Sequence, residues 1–428
     1  MEFDEHLSSE RAKRRIASRP LRLVVLGMMG RMPLAGVVWQ VLHYLEGFRR
    51  LGFDVYYVED TGAWPYNPEE NTVAADSSYS IALLRQVMAN YGFSDRWAYR
   101  DVMRGGDYFG LSEPQIQRLF DQTDIVINLT ASTVLRAEHL RVPVRVYLET
   151  DPVLPQIEIA KGNSSYLEQL GTHTHHFTYG ENLGAPDCGV PVECFRYLPT
   201  RQPVILDWWT GSSHPGGNGA ATAPRACFTT IANWSQSGKD LDWNGERYTW
   251  SKHHEFLKFL DLPKRAAQPL ELALALKSGV RTEKNSWSGL SDVDAETVRL
   301  LTSHGWLVVN AMSFSKQTQP YRDYILHSRG EFTVAKDQNV RLRSGWFSDR
   351  SACYLAAGRP VITQDTGFGN FLPTGEGLFS FNTMEDIVAA MEVVNADYEK
   401  HSRAAQAIAE EYFGTENVLS KMLDDLGL

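Results

Sequence analysis

Residues 343–362 concentrate side chains that handle anions: Arg343-Ser344-Gly345-Trp346-Phe347-Ser348-Asp349-Arg350-Ser351, then the run Ala352 to Ala357, the stop Gly358, and Arg359-Pro360-Val361-Ile362. This order predicts a small-residue loop, a helix and a strand entered through proline. A helix opening of that kind turns unpaired N–H groups and the positive end of its dipole into a cleft, where they favour an anion such as a pyrophosphate. Gly345 and Ser348 stand in the approach loop, and Arg350 and Ser351 in the first turn add charge and hydrogen bonds.

Carboxylates sit at two strand ends of the first half, Glu59-Asp60 and Glu149-Thr150-Asp151. Ligands of open α/β sheets collect outside the carboxyl ends of strands. A carboxylate partly desolvated there has its pKa raised toward that of a general base. Asp151 and Glu149 are the candidate catalytic bases, with Asp60 behind them. The loop Gly27 to Gly36 offers Gly30 and Arg31 as part of a flexible loop along the cleft floor; its glycines do not form Gly-x-Gly-x-x-Gly, which argues against a nicotinamide enzyme. His173-Thr174-His175-His176 places His173 and His175 on one face of a strand, but no third ligand accompanies them, so they read as cleft-wall or surface histidines. Trp208, Trp209, Trp234, Trp243 and Trp250 read as packing near a domain junction.

The helix-to-strand passage resembles the group-1 glycosyltransferases of the GT-B fold. Ala356-Ala357-Gly358-Arg359-Pro360-Val361-Ile362, then Gln364-Asp365-Thr366-Gly367, then Gly375-Glu376-Gly377-Leu378 and a capped helix at Thr383 follow that family's layout. The likeness is carried by motifs toward the C-terminal end and by architecture alone elsewhere. It implies two Rossmann-like, doubly wound domains facing a cleft. It also implies transfer of a sugar from a nucleoside-diphosphate sugar, a co-substrate, to an acceptor, with no permanently bound cofactor and no required metal. Asp365, Thr366 and Gly367 would then lie over the donor sugar, and Gly30 and Arg31 would belong to the acceptor side.

The same resemblance lays Asn233-Trp234-Ser235-Gln236-Ser237-Gly238-Lys239 against the diphosphate. Small residues such as Ser235 let backbone N–H groups approach a phosphate, and either Lys239 or Lys252, at the start of a helix over 253–260, supplies the basic residue. Glu331 is the candidate partner of the ribose; the other reading makes Glu331 and Lys336 ordinary surface charges. One departure stands out. Retaining members often carry two glutamates separated by seven residues, and Gly345 and Cys353 occupy those places here. Their grip on ribose and sugar does not carry over, and the choice between retention and inversion stays open. Inversion needs a carboxylate base from the first half, whereas retention does not. A GT-B nucleotide-sugar epimerase, or a catalytically inactive GT-B protein binding a nucleotide or a partner, are the alternative readings; the missing glutamates favour the latter.

Positioning these groups requires two parallel sheets. Short apolar runs over 21–26, 53–58, 125–129 and 144–148 read as buried strands, with a helix from Gly36 to its stop at Gly52. The second half repeats the pattern at 227–231, 271–276, 305–309, 332–335 and 360–363. Thr383 with Asp386 makes a capping box, and two further helices follow 396. A chain of 428 residues exceeds one ordinary core. The expected division is a basic flexible tail over 1–20, an acceptor domain over 21–205, a donor domain over 206–395, and C-terminal helices over 396–428 packing back on the first domain. The Gly/Ser/Pro-rich run 211–224 marks the connection.

Composition narrows the partners. A formal net charge of −10 argues against nucleic acid as substrate. Four cysteines without zinc spacing read as reduced, packed thiols. No apolar run approaches the ~18 residues of a membrane span, and no apolar signal core opens the sequence, so a cytoplasmic location is expected. The basic residues Arg11, Lys13, Arg14, Arg15, Arg19 and Arg22 offer a peripheral contact with an anionic membrane surface, although a solvated tail is the simpler reading.

Overall fold

The computed structural model describes residues 19–210, 225–236, 238–276, 280–281, 287–288 and 290–428. The connection expected over 211–224 and the tail residues before 19 lie outside the described residues. Arg19 and Arg22 lie within them, and neither is a free tail residue. Arg19 pairs with Asp124 at 2.9 Å and Arg22, the first residue of a strand, pairs with Asp54 at 2.7 Å.

In the first half, β1 (Arg22–Leu26), β2 (Asp54–Glu59), β3 (Trp97–Asp101), β4 (Asp107–Gly110), β5 (Ile125–Leu129), β6 (Val144–Glu149), β7 (His175–Thr178) and β8 (Tyr197–Pro199) form one sheet. Its order is β8-β7-β6-β5-β1-β2-β3-β4. All neighbours are parallel except β4, which returns antiparallel to β3 as a short edge. Alternation in β1 shows that both faces are covered. Leu23 and Val25 join the large core against α1 (Ala35–Arg50), while Val24 and Leu26 join a second cluster with Ile116, Leu119 and Phe120.

In the second half, β9 (Phe228–Ala232), β10 (Leu270–Leu274), β11 (Leu307–Asn310), β12 (Gly330–Thr333), β13 (Val361–Gln364) and β14 (Leu378–Phe381) are all parallel. Their order is β11-β10-β9-β12-β13-β14, the Rossmann order, in which the direction of winding reverses between β9 and β12. A crevice opens at such a reversal, because the connections leave its two strands toward opposite faces.

The helices that matter to the crevice are α2 (His253–Lys258), α3 (Thr318–Leu326) and α4 (Asp349–Ala356). They are followed by α5 (Met384–Ala396), α6 (Tyr398–Ile408) and α7 (Thr415–Asp425). The helix read from Gly36 exists as α1, and its stop is Gly52, whose φ of +88° is open to glycine without strain. No side chain caps its opening; instead Ala35 N–H donates to Ser315 O from the second half at 2.7 Å. The capping box of Thr383 and Asp386 opens α5 as expected. The chain end folds back onto the first sheet's helix layer. Gly47 of α1 lies against Thr415 and Leu419 of α7, and Val204 N–H donates to Phe413 O at 2.7 Å. One apolar core therefore runs from β1 and α1 through Phe347 and α4 to Phe413 and Leu419.

The histidine run is arranged otherwise than expected. β7 begins at His175, so His173 precedes the strand and does not share its face. His173 is buried with Nε2 3.0 Å from Asn128 Nδ2, and burial lowers its pKa to about 4. His176 is also buried, and its Nε2 lies 2.9 Å from Leu170 O. Among the described residues no group of three or more His, Cys, Asp or Glu is placed to hold a metal ion.

Candidate functional site

Two adjoining cavities occupy the cleft between the sheets. One, of about 320 Å³, lies at the winding reversal, against Ile231 and Ala232 at the end of β9, Asn233 just after it and Lys336 after β12. The other, of about 310 Å³, lies between α1 and the opening of α4. Both are lined by Gly36, Val37, Tyr321, Ser348 and Arg350.

Three cations converge on the first cavity. Arg350, in the first turn of α4, is held at three points: Nε donates to Glu331 Oε1 at 2.5 Å, Nη1 to Ile231 O at 2.7 Å and Nη2 to Thr333 Oγ1 at 3.0 Å. Three of the five guanidinium N–H groups are thereby used. Lys336 Nζ donates to Asp151 Oδ2 at 2.6 Å and sits 3.1 Å from the centre of the Trp250 ring. Lys252 stands at the head of α2, with Nζ 5.4 Å from the Trp346 ring centre, and makes no ion pair among the described residues. Burial, reinforced by Arg350 and Lys336, lowers its pKa to about 7. Among the described residues, two carboxylates thus pair with two of the three basic groups, Asp151 with Lys336 and Glu331 with Arg350, and Lys252 is left without one. The opening of α4 adds to this: its N-cap, Ser348, lines both cavities and makes no side-chain cap bond.

The expected diphosphate residues divide. Lys252, Ser348 and Arg350 line the cavity. Ser235 and Lys239 are exposed and do not, although their neighbours Asn233 and Gln236 do; the Lys239 ammonium rests on Trp250 at 4.4 Å. Ser351 is fully buried behind the helix opening, its Oγ without a hydrogen-bond partner among the described residues. Glu331 and Lys336 are not surface charges: their exposures are 0% and 8%. Nor does Glu331 reach out toward a ribose. Its place on central strand β12 turns the carboxylate under Arg350, which it orients.

Gly345, Asp365, Thr366 and Gly367 form a support layer and line neither cavity. Gly345 N–H donates to Thr366 O at 2.7 Å, and Thr366 Oγ1 donates to Trp346 O at 2.6 Å. Asp365 accepts from Arg343 at 2.9 Å and from Gly367 N–H at 2.9 Å. Gly345 has φ +80°, and a Cβ there would stand 2.8 Å from Asn182 Cβ, so glycine is required by backbone and space together. This double loop fixes Trp346, whose Nε1 donates across the cleft to Thr150 O at 3.0 Å.

Of the three candidate bases, two are saturated. Glu149 is buried and accepts from Tyr147 and Thr178 of its own sheet and from Gln156 of the helix Leu154–Ala160 at 2.6 to 3.0 Å; burial raises its pKa to about 7, yet both oxygens are taken up by these partners. Asp60 is buried between Arg136, at 2.5 Å, and Arg100, at 3.4 Å. Asp151 alone faces the cleft, paired with Lys336. Gly30 and Arg31 do not make a flexible floor either. Their N–H groups both donate at 2.6 Å to the buried Glu59, pinning the loop, so that Met28 and Leu34 face the cavities instead.

Asp349, Gln40 and Gln202 were not singled out from the sequence. Asp349 lay within the motif and opens α4. Its Oδ2 accepts from Gln40 Nε2 at 3.2 Å, and burial raises its carboxyl pKa to about 6. Its position as first helical residue was the available signal; Gln40 and Gln202 carried none.

No protein-family model and no curated protein matches this sequence. Solved structures do. The chain is similar to HepE of Anabaena, crystallised with UDP-glucose, at a TM-score of 0.54 and 11% identity over 95% of this chain and 99% of that one. It is similar to an alpha-glucosyltransferase crystallised with UDP and a 13-mer DNA, at 0.52 and 11% over 95% and 100%. Sucrose-phosphate synthase from Thermosynechococcus elongatus gives 0.50 and 9% over 95% and 98%. The likeness is one of fold: with two Rossmann-like sheets facing each other across a cleft, the chain has the GT-B fold of glycosyltransferases.

Proposed function

We propose that the chain transfers a hexosyl group from a UDP-sugar to an acceptor, with the diphosphate bound at the winding reversal of the second sheet. The observation that carries this reading is the convergence of Lys252, Lys336 and Arg350 on one cavity, where Lys336 pairs with Asp151, Arg350 with Glu331, and Lys252 with no carboxylate among the described residues. As the bond from the sugar to the diphosphate breaks, negative charge grows on the leaving oxygen. Lys252, Arg350 and the opening of α4 meet that charge in a site preorganised by Glu331 and Thr333. The cations carry the compensation, so the reading requires no metal. Uridine is favoured because HepE and the alpha-glucosyltransferase were crystallised with UDP or UDP-glucose.

The test is a thermal-shift panel of UDP, GDP, TDP, ADP and CMP. A nucleotide at a hundredfold its dissociation constant stabilises by ~2.7 kcal/mol, enough to raise the midpoint by several degrees. A shift with UDP, and release of UDP from UDP-glucose on incubation, is the expected result. No shift with any nucleotide overturns the reading.

A further inference from the structure

At the end of the first sheet opposite the cleft lies another cavity, of about 390 Å³, whose lining holds four arginines, Arg19, Arg22, Arg49 and Arg96, and a single carboxylate, Asp54. In a chain of net charge −10 this is a local reversal of sign. Separate stretches bring the groups together. Arg22 and Asp54 begin β1 and β2, Arg96 precedes β3, and Arg49 lies in the last turn of α1. The cleft lies at the other end of α1, where Gly36 and Val37 line both of its cavities. The helical rise from Gly36 to Arg49 puts ~20 Å between the two places.

The arginines are fixed, yet the wall they form stays positive. Arg22 Nε donates to Asp54 Oδ2 at 2.7 Å and Arg96 pairs with Asp54 Oδ1, so one carboxylate serves two guanidinium groups. Burial acts to raise the Asp54 pKa, but Arg96 and Arg22 hold it below the ordinary value, and the carboxylate stays charged. Arg19 pairs with Asp124, and Arg49 with Glu46, which also serves Arg50. Asp124 and Glu46 stand outside the lining, as does Asp95 beside Arg96. Arg22 and Arg96 lie over the Tyr56 ring, 5.4 and 5.0 Å from its centre, and Arg49 lies over Phe93 at 4.7 Å. Guanidinium groups fixed in this way lose little freedom on binding. All four side chains keep 22% to 43% of their surface in solvent, so a ligand reaches them. The carbonyl end of α1, which disfavours an anion, is offset by Arg49 and Arg50.

Such a wall repels a cation, and an apolar ligand would strip water from the guanidinium groups without replacing its hydrogen bonds. An anion meets both conditions. The forked N–H groups of arginine match phosphate oxygens in pairs, and several arginines around one group suit the charge of about −1.5 to −2 that a phosphate monoester carries. We propose that this cavity binds a phosphate monoester group, at a site separate from the cleft. The group belongs either to a soluble ligand or to a lipid headgroup. Lys13, Arg14 and Arg15, just upstream in the sequence, add basic charge of the kind that an anionic membrane surface attracts.

The experiment uses the full chain with excess UDP to fill the cleft. Equilibrium dialysis measures inorganic phosphate, and sedimentation measures vesicles of phosphatidylcholine with and without phosphatidic acid. The variants are Arg49→Gln and Arg96→Gln, with Arg403→Gln as an exposed control of the same charge change. Arg49→Gln leaves Glu46 with Arg50, and Arg96→Gln leaves Asp54 with Arg22, so neither strands a carboxylate. Melting midpoints check folding, and if one variant unfolds the other still reads the site. For a soluble ligand, phosphate binds and each variant weakens it at least about fivefold, the worth of one partly exposed charge pair. For a lipid, the chain sediments with vesicles containing phosphatidic acid and not with phosphatidylcholine alone, and each variant loses binding by about the same factor. In either case the control changes binding less than about twofold, and so does UDP affinity in both variants. The proposal is overturned if neither probe binds, if binding is indifferent to Arg49 and Arg96, or if Arg403→Gln costs as much, which would reduce the effect to overall charge. A loss of UDP affinity in step with phosphate would place the phosphate in the cleft and overturn it equally.

Discussion

Lys336 Nζ donates to Asp151 Oδ2 at 2.6 Å, joining the loop after β12 to the loop after β6 across the cleft. The lysine is nearly buried and also lies on Trp250, whereas the aspartate keeps about a third of its side-chain surface in solvent. The pair therefore ties the two halves together at the rim of the cation-lined cavity, and a bound anion would compete with Asp151 for the same ammonium.

Asp151→Asn tests that competition. The exposed side of the pair limits its worth to about 1 kcal/mol, so the melting midpoint of the free protein should fall by only a few degrees. Affinity for UDP should rise, because Lys336 then has no other anionic partner among the described residues. Calorimetry with UDP checks this; a weaker UDP complex would show that Asp151 holds Lys336 in place for the ligand and does not compete with it.

Glu331→Gln should be far more costly. Glu331 is fully buried, and its loss as a charge leaves Arg350 desolvated without a counter-ion, a situation that costs ~3–5 kcal/mol. Denaturant unfolding should show a loss near the lower end, since glutamine keeps one acceptor for Arg350 Nε. Adding Arg350→Met to the same chain should recover part of the loss while abolishing UDP binding. A cost below about 1 kcal/mol for the single change would mean that Arg350 escapes to solvent and is not fixed by Glu331.

The strands read from apolar runs and the opening of α4 were legible for one reason: both are local. Runs such as Ile125 to Leu129 are apolar at every position because both faces of a parallel strand are covered, and the observed β5 has those same ends. The opening of α4 was legible because loop, helix, stop and strand follow one another in sequence. What escaped depends on distance. Glu331 and Arg350 are 19 residues apart and meet only because β12 lies beside the start of α4. Asp60 and Glu149 sit at strand ends where ligands gather, but Arg136, Gln156 and Thr178 fill the space around them, and nothing near either carboxylate in sequence announces that. The choice between Lys239 and Lys252 likewise turned on where the fold carries each ammonium: Lys252 lines the cavity, whereas Lys239 rests on Trp250 outside it.

Gly47→Ala tests the docking of the chain end on the first half. Gly47 is buried within α1, where alanine would favour the helix itself, but a Cβ would stand 2.7 Å from Leu419 Cδ1 and meet Thr415 as well. Overpacking of this kind costs ~1–3 kcal/mol. The variant should be destabilised despite its better helix propensity, with increased proteolysis after residue 396. A gain in stability would show that α7 yields freely and that its contact with α1 is loose.

Lys252 gives the binding reaction a pH dependence whose sign can be worked out. Burial, then Arg350 and Lys336, bring its pKa from the ordinary 10.5 down to about 7 in the free protein. The unfolded chain keeps the ordinary value, so between about 7 and 10.5 it binds the extra proton and the folded state does not; Lys252 adds to stability as pH rises through that window. A diphosphate acts in the opposite direction. It stabilises the ammonium and raises the pKa of the complex, so above pH 7 binding takes up a proton, and affinity for UDP falls with rising pH by at most about tenfold per unit. Calorimetry at pH 8 in buffers of different ionisation enthalpy should register an uptake approaching one proton per UDP, and Lys252→Met should remove it along with the slope. If UDP binds at pH 8 with no proton uptake, Lys252 does not face the diphosphate, and the positive charge that meets it has to come from Lys336 and Arg350 alone.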